Sequence, residues 1–397
     1  MEILNFLNDA FQHLRVSNHR KKLRQSSQGY DYGAEIKSGR EMVKSLHPKR
    51  MQLRLLEIIL KTPSTKTFRF ERTDAPLPPF RPGQYVNLFL DVDGVLTSRP
   101  YSISSPPGTN TLDLTVKEKP GGFVSPYLIN ELMVGDELQT TGPKGKFYHE
   151  ALIDGDDLVF LAGGSGITPF MSILKDALKK SQAELLHIHL IYGSRKLEDV
   201  IFGLELAELA VNHPNFSFSL VISEPPPGFD GLTGFLDANL IRQQLADPES
   251  GEIPILEQKK FFICGPNEMY KFCLAALLEL GVPPQRVKRE LFGPPEDVTT
   301  EPGWPKEIAA DQIWRVEIAG KKHIQAPASE PLMNSLERHG IVVPAVCRAG
   351  SCSACRIRLL SGRVFLPAGA RLRESDRKNG YIHSCVAYPL EDLTIRL

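Results

Sequence analysis

Three cysteines stand as C-x4-C-x2-C at Cys347, Cys352 and Cys355, and a fourth, Cys385, follows after 29 intervening residues. Four thiolates at this spacing suit a [2Fe-2S] cluster. The residues between them, Arg348-Ala349-Gly350-Ser351 and Ser353-Ala354, are mostly small, so the loop can wrap inorganic sulfides and aim backbone N–H groups at them. Such donors stabilise an anionic cluster and tune its potential. Zinc sites usually pair two short C-x2-C units, of which only one is present. Disulfides need an oxidising compartment, and no signal-peptide pattern is found. A one-electron carrier needs a source of electrons, which the rest of the chain is expected to contain.

Two further sets of residues fit that need. Pro82-Gly83-Gln84-Tyr85-Val86 precedes Arg99-Pro100-Tyr101-Ser102, and about twenty residues on Gly121-Gly122-Phe123-Val124-Ser125 opens a short helix, just after Lys117. Later, Gly163-Gly164-Ser165-Gly166-Ile167-Thr168-Pro169 follows an apolar strand, and Cys264-Gly265-Pro266 ends another. These motifs resemble the R-x-Y-S, G-x-x-S, G-G-x-G-x-T-P and C-G-P signatures of the ferredoxin-NADP reductase superfamily. The C-terminal segment, with Gly380 to Pro389 around Cys385, resembles plant-type ferredoxins. Together they are similar to oxygenase reductases of the phthalate dioxygenase reductase kind, from about residue 50 to the end.

The resemblance implies roles. Arg99 pairs a flavin phosphate, Tyr101 stacks on the isoalloxazine, Ser102 and Pro100 lie on the other strand face toward N5, and Lys117, Gly121, Gly122 and Ser125 belong to the flavin site. FAD is favoured over FMN by the G-x-x-S. Gly163, Gly164, Gly166, Thr168 and Pro169 let a nucleotide pyrophosphate approach, and Cys264 with Gly265 and Pro266 borders the nicotinamide, with Glu290-Leu291-Phe292-Gly293 over the flavin. Ser194 and Arg195 could hold the 2′-phosphate of NADPH; Glu198 or Asp199 could instead accept the ribose of NADH, the slightly favoured nucleotide. Tyr101, Ser102 and Cys264 are the catalytic candidates, and the four cysteines are the metal ligands.

The elements that must position these residues are readable in the hydrophobic pattern. Short strands at 54–61, 66–71, 85–90, 112–117 and 137–141 suggest an antiparallel β-barrel for the flavin, residues 47–150. Buried strands at 157–162, 186–192, 216–222 and 260–264 alternate with helices at 168–180, 236–244 and 267–280, implying a parallel, Rossmann-like α/β nicotinamide domain over 151–295. A proline-bearing linker (296–310) leads to an α+β, β-grasp ferredoxin domain over 311–397, with a strand at 313–318, a helix at 331–339 and a strand at 356–360.

Residues 1–46 form an extension, with an amphipathic helix over 1–16 and basic His19-Arg20-Lys21-Lys22-Leu23-Arg24 after it; residues 1–24 could touch a membrane surface or a partner, and the commoner outcome is a helix packed on its own protein. No apolar run is long enough to span a membrane. Zero net charge argues against nucleic acid as partner, but residues 311–397 carry thirteen Lys/Arg against eight Asp/Glu, and residues 51–310 carry 24 against 34. Cysteine usage fits a reducing cytoplasm. The expected activity is hydride transfer from NAD(P)H to flavin, then single electrons through the cluster to a partner metalloprotein such as an oxygenase. The alternatives are a diaphorase acting on free flavin or ferric chelates, and an electron-transfer or redox-sensing subunit.

Overall fold

The computed structural model describes residues 41–179, 186–246, 250 and 255–397. The amphipathic helix expected over 1–16 and the basic stretch after it lie outside these. Residues 41–46 form a short exposed helix.

From Pro48 onward the chain builds three sheets. The first comprises β1 (Met51–Thr62), β2 (Thr65–Arg72), β3 (Tyr85–Val92), β4 (Val95–Ser102), β5 (Thr111–Lys117) and β6 (Glu137–Thr140), all antiparallel, in the order β4-β3-β6-β1-β2-β5. It curls until its edges meet at a bridge between Ile103 and Leu114. Alternation drives the curl: Met51, Leu53 and Leu55, then Phe68 and Phe70, then Leu112, Leu114 and Val116 all face inward. The helix Ser125–Asn130 closes this core with Leu128 and Ile129.

The second sheet is parallel: β7 (Asp157–Gly163), β8 (His187–Ser194), β9 (Phe216–Ile222), β10 (Leu232–Thr233), β11 (Lys260–Cys264) and β12 (Val287–Glu290), ordered β10-β9-β8-β7-β11-β12. The central strand is buried on both faces from Leu158 to Ala162. One face packs on the helices Thr168–Ala177 and Gly203–Asn212, the other on Ala238–Leu245 and Asn267–Glu279. That is the doubly covered arrangement the apolar runs imply.

The third sheet mixes β13 (Ile313–Ile318), β14 (His323–Pro327), β15 (Arg356–Ser361), β17 (Tyr381–His383) and β19 (Leu393–Arg396), with β13 and β19 parallel; β16 (Val364–Phe365) and β18 (Tyr388–Pro389) form a separate pair. The helix Leu332–Arg338 buries Leu332, Met333 and Leu336 against this sheet. The connecting segment is pinned by Trp304, whose ring meets Phe365 at 5.3 Å and Tyr388 at 6.3 Å.

Two loops meet at the carboxyl end of the parallel sheet, where ligands bind in such folds. A Cβ on Gly166 would stand 2.1 Å from the Cys264 carbonyl oxygen, and one on Gly163 would stand 2.3 Å from Met269 Sδ. The glycines therefore do more than admit a ligand: they let the Gly163–Pro169 and Cys264–Pro266 loops touch backbone to backbone. The Tyr192 hydroxyl braces the same place, donating to Gly164 O at 3.0 Å and accepting from the Ile201 N–H at 3.2 Å. Gly166→Ala is expected to force these loops apart and to lower stability by about 1–3 kcal/mol. A denaturant midpoint unchanged from the parent would contradict this packing.

Candidate active site

Strand β4 presents Arg99, Pro100 and Tyr101 to a cavity of about 240 Å3. Tyr101 pairs with Val86 of β3 and leans on the barrel core, while Ser102 is buried opposite Tyr85. A second wall is Phe292-Gly293-Pro294, which follows β12; the Phe292 ring stands edge-on to Tyr85 at 5.3 Å. The third wall is Asn334, Arg348 and Cys385, from the C-terminal domain. One cavity thus joins the R-x-Y-S strand to a candidate cluster ligand.

The charges around it are unequal. Glu337 is buried and ion-paired with buried Arg348, and it accepts from the Thr97 hydroxyl at 2.9 Å. The Arg99 guanidinium donates to Thr97 Oγ1 at 2.6 Å and Ser98 O at 2.8 Å, and lies 3.8 Å from Glu337. Two arginines share one carboxylate, and Arg348 Nε is buried without a partner among the described residues. Burial, followed by the nearby charge of Arg348, pulls the Arg99 pKa down to about 10. An anionic group would relieve that excess of positive charge, so the residues fit a flavin phosphate.

The four cysteines come together in two pairs. Cys355 and Cys385 are 3.2 Å apart, and Cys347 interacts with Cys352. Backbone N–H groups of Ala349 and Ser351 point at Cys347, that of Ala354 at Cys352 and that of Gly350 at Cys385. The loop achieves this by entering the left-handed region at Arg348, Gly350 and Ser353. Among the described residues no three Cys, His, Asp or Glu side chains converge as they would on one ion. Two pairs of sulfurs under inward N–H donors fit a binuclear anionic cluster. The Cys352 thiol, then Ser351 and Ala349, overcome burial and draw Cys347 well below the usual thiol range, so thiolate is the favoured form there.

On the nucleotide side, Cys264 is buried at the end of β11, with Glu290 of β12 paired to it in register. Burial first, and then Glu290, push the Cys264 thiol well above its usual range, which keeps it neutral. Glu290 is itself pushed up by burial, and its Oε2 lacks a partner among the described residues. Sequence reasoning treated Glu290 only as part of a covering stretch.

Several candidates have protein partners. Ser125 Oγ accepts from the Lys119 N–H at 2.9 Å, and Thr168 Oγ1 donates to Ser165 O at 3.0 Å. Lys117 and Asp199, assigned to different ligands, face one another at 3.3 Å across the seam between the first two sheets. Ser194 Oγ donates to Lys196 O at 3.0 Å, and Arg195 lies 3.3 Å from Glu224. Glu224, Glu337, Arg348 and Asn334 escaped sequence reasoning; only the residue types around the cysteine motif and around Ser194-Arg195 hinted at them.

Comparison with known proteins agrees with this geometry. Residues 52–149 match the family described as oxidoreductase FAD-binding domain, 160–274 the oxidoreductase NAD-binding domain and 316–390 the 2Fe-2S iron-sulfur cluster binding domain. The class is therefore an NAD(P)H-dependent iron–sulfur flavoprotein oxidoreductase. The chain is 30% identical over 358 residues to the ferredoxin reductase component of 3-ketosteroid-9-alpha-monooxygenase from Mycobacterium tuberculosis, covering 86% of this chain and 94% of that one. It is 29% identical over 362 residues to the glycine betaine monooxygenase reductase subunit of Pseudomonas aeruginosa, covering 87% and 95%. The fold is that of phthalate dioxygenase reductase, at 21% identity and a TM-score of 0.63, covering 88% of this chain and 98% of that one. The chain belongs to the family of flavin- and [2Fe-2S]-containing oxygenase reductase components. No helix among the described residues is long and apolar enough to cross a membrane.

The Arg348–Glu337 pair is a structural requirement of this site. Arg348→Met leaves buried Glu337 with only the more distant Arg99, 3.8 Å away, as counter-charge and is expected to cost about 3 kcal/mol, read as a lower denaturant midpoint. A variant as stable as the parent would show that the pair does not hold the seam.

Proposed function

We infer that the chain oxidises NADH, in preference to NADPH, and delivers single electrons to the oxygenase component of a multicomponent oxygenase. The observation that carries this is the single cavity lined by both Arg99-Pro100-Tyr101 and Cys385. Bound FAD supplies the conversion of a hydride pair into single electrons, and a [2Fe-2S] cluster supplies one-electron carriage. The chain supplies position. Tyr101 offers a ring face, Ser102 a hydroxyl and backbone at the strand end, and Arg99 with Gly121, Gly122 and Ser125 the anchoring of phosphates. Gly163 to Pro169 and Cys264-Gly265-Pro266 hold the nucleotide at the sheet edge, with the neutral Cys264 shaping the nicotinamide pocket. Cys347, Cys352, Cys355 and Cys385 are the cluster ligands. The domain limits proposed are those of the sequence reading, and the use of four of the six cysteines at cluster spacing supports a cytoplasmic setting.

The Arg195–Glu224 contact supports NADH, because a 2′-phosphate would have to displace a carboxylate to reach the guanidinium. Glu224→Ala frees Arg195 and is expected to raise the NADPH-to-NADH ratio of kcat/KM about tenfold, the effect of one charge-assisted contact. A ratio that does not move would remove Arg195 from nucleotide selection.

The direct test is anaerobic mixing of holoenzyme with NADH and NADPH in turn, following flavin absorbance by stopped flow and the cluster by electron paramagnetic resonance. Fast bleaching by NADH followed by a [2Fe-2S] signal is expected. A cluster that stays oxidised while the flavin bleaches would overturn the electron route. Cys352→Ser is expected to abolish the cluster signal while NADH still bleaches the flavin; an intact cluster spectrum in that variant would contradict the ligand assignment.

A further inference from the structure

The cysteine loop has a buried side and an open one. Cys385 lines the cavity and is 3% exposed, whereas Cys352 and its neighbour Ser351 lie at the surface. Given the electron route inferred above, on which this proposal rests, a docking protein approaches the cluster site most closely at the Ser351–Cys352 corner.

That corner is set among arginines. The Arg371 N–H donates to Gly350 O at 3.0 Å, directly beside Ser351, and a Cβ on Gly350 would stand 3.4 Å from Ala370 Cα, so Ala370 and Arg371 are packed on the loop. Arg373 follows two residues later. Arg289, on β12, comes from the nucleotide domain three residues before Phe292-Gly293-Pro294, which shares a cavity wall with Arg348 and Cys385; partial burial, and then the charge of Arg371, hold its pKa below the usual arginine value. Arg289, Arg371 and Arg373 are all exposed, and among the described residues none is ion-paired with a carboxylate. The two acids of the segment around Arg371 and Arg373 are already occupied: Asp376 is buried against Arg356 at 2.7 Å, and Glu374 is 3.1 Å from Lys378. Residues 346–383 carry eight Lys/Arg against two Asp/Glu, so the excess is not offset locally. Like charges held together without a counter-ion repel, and a carboxylate arriving from outside relieves both at once.

We propose that Arg289, Arg371 and Arg373, around the exposed Ser351–Cys352 corner, form the docking face for an acidic surface patch on the electron-accepting protein. Because Arg289 and Arg371 come from different domains, the same partner bridges the nucleotide and ferredoxin domains when it docks.

The test uses holoenzyme with the soluble domain of cytochrome b5, an acidic haem protein, and with cytochrome c, a basic one. Binding is measured by titration, and electron transfer from NADH-reduced enzyme by stopped flow, from about 20 to about 200 mM salt. Cytochrome b5 is expected to bind at low salt and to be reduced at least about tenfold more slowly at high salt. Arg289→Glu with Arg371→Glu is expected to lose about tenfold in both affinity and rate for cytochrome b5, to flatten the salt dependence, and to leave NADH bleaching of the flavin and reduction of neutral benzoquinone unchanged. Arg371→Gln is expected to lie between. Cytochrome b5 affinity and rate unaffected by charge reversal, or a parent enzyme that prefers cytochrome c at low salt, would overturn the docking face. Failure of NADH to reduce the cluster would instead sink the electron route, and the binding titration would still decide the docking face.

Discussion

The buried pair between Arg348 and Glu337 is the constraint on which the site is built. Arg348 directly follows Cys347, and Glu337 sits near the end of the helix that packs on the C-terminal sheet. The pair is not self-contained: Thr97 of the barrel donates to Glu337 and accepts from both Arg348, at 3.2 Å, and Arg99. Asn87 adds a bond to Ala345 O at 2.8 Å. A charged pair taken out of water is stable only where its remaining hydrogen-bonding capacity is met, and here the barrel meets it. The electrostatics of one domain are therefore completed by another, and this brings Cys385 to the wall of the cavity that Arg99 and Tyr101 line.

The same principle recurs at the other seams. Asp154, fully buried, is held by Lys288 and Lys260, and Lys117 meets Asp199 between the barrel and the parallel sheet. Ser172 of the nucleotide domain donates to Ser105 O of the barrel at 2.7 Å. Directional polar contacts fix relative placement in a way that apolar contact alone does not, which suits a machine whose cofactor sites must lie within electron-transfer reach.

Much of the fold was legible because it follows from local pattern. Strands Phe216–Ile222, Lys260–Cys264 and Ile313–Ile318 fall where their apolar runs predict, and so does the helix beginning at Thr168 beside Pro169. Strand β12 was not legible: Val-Lys-Arg-Glu is an edge strand with one apolar residue, held in place by pairing with β11. The helix Gly203–Asn212 was missed as well, since only Leu206 within it is fully buried. Asp199 illustrates the limit for site residues. Its position shortly after Ser194-Arg195 suggests a ribose contact, while its carboxylate is met by Lys117 from a strand about eighty residues earlier.

The sequence by itself determined the chemistry: cysteine spacing for a cluster, a flavin strand motif, two glycine-bearing nucleotide loops and the order of the domains. Each is a local pattern, set by ligand spacing, backbone permissiveness or hydrophobic period. Only the tertiary structure decided which of these sites face one another, which carboxylates are occupied and where positive charge is left over. Those outcomes depend on contacts between residues as far apart in the chain as Thr97 and Arg348, whose energies come from burial and shared hydrogen bonds that no short stretch of sequence contains.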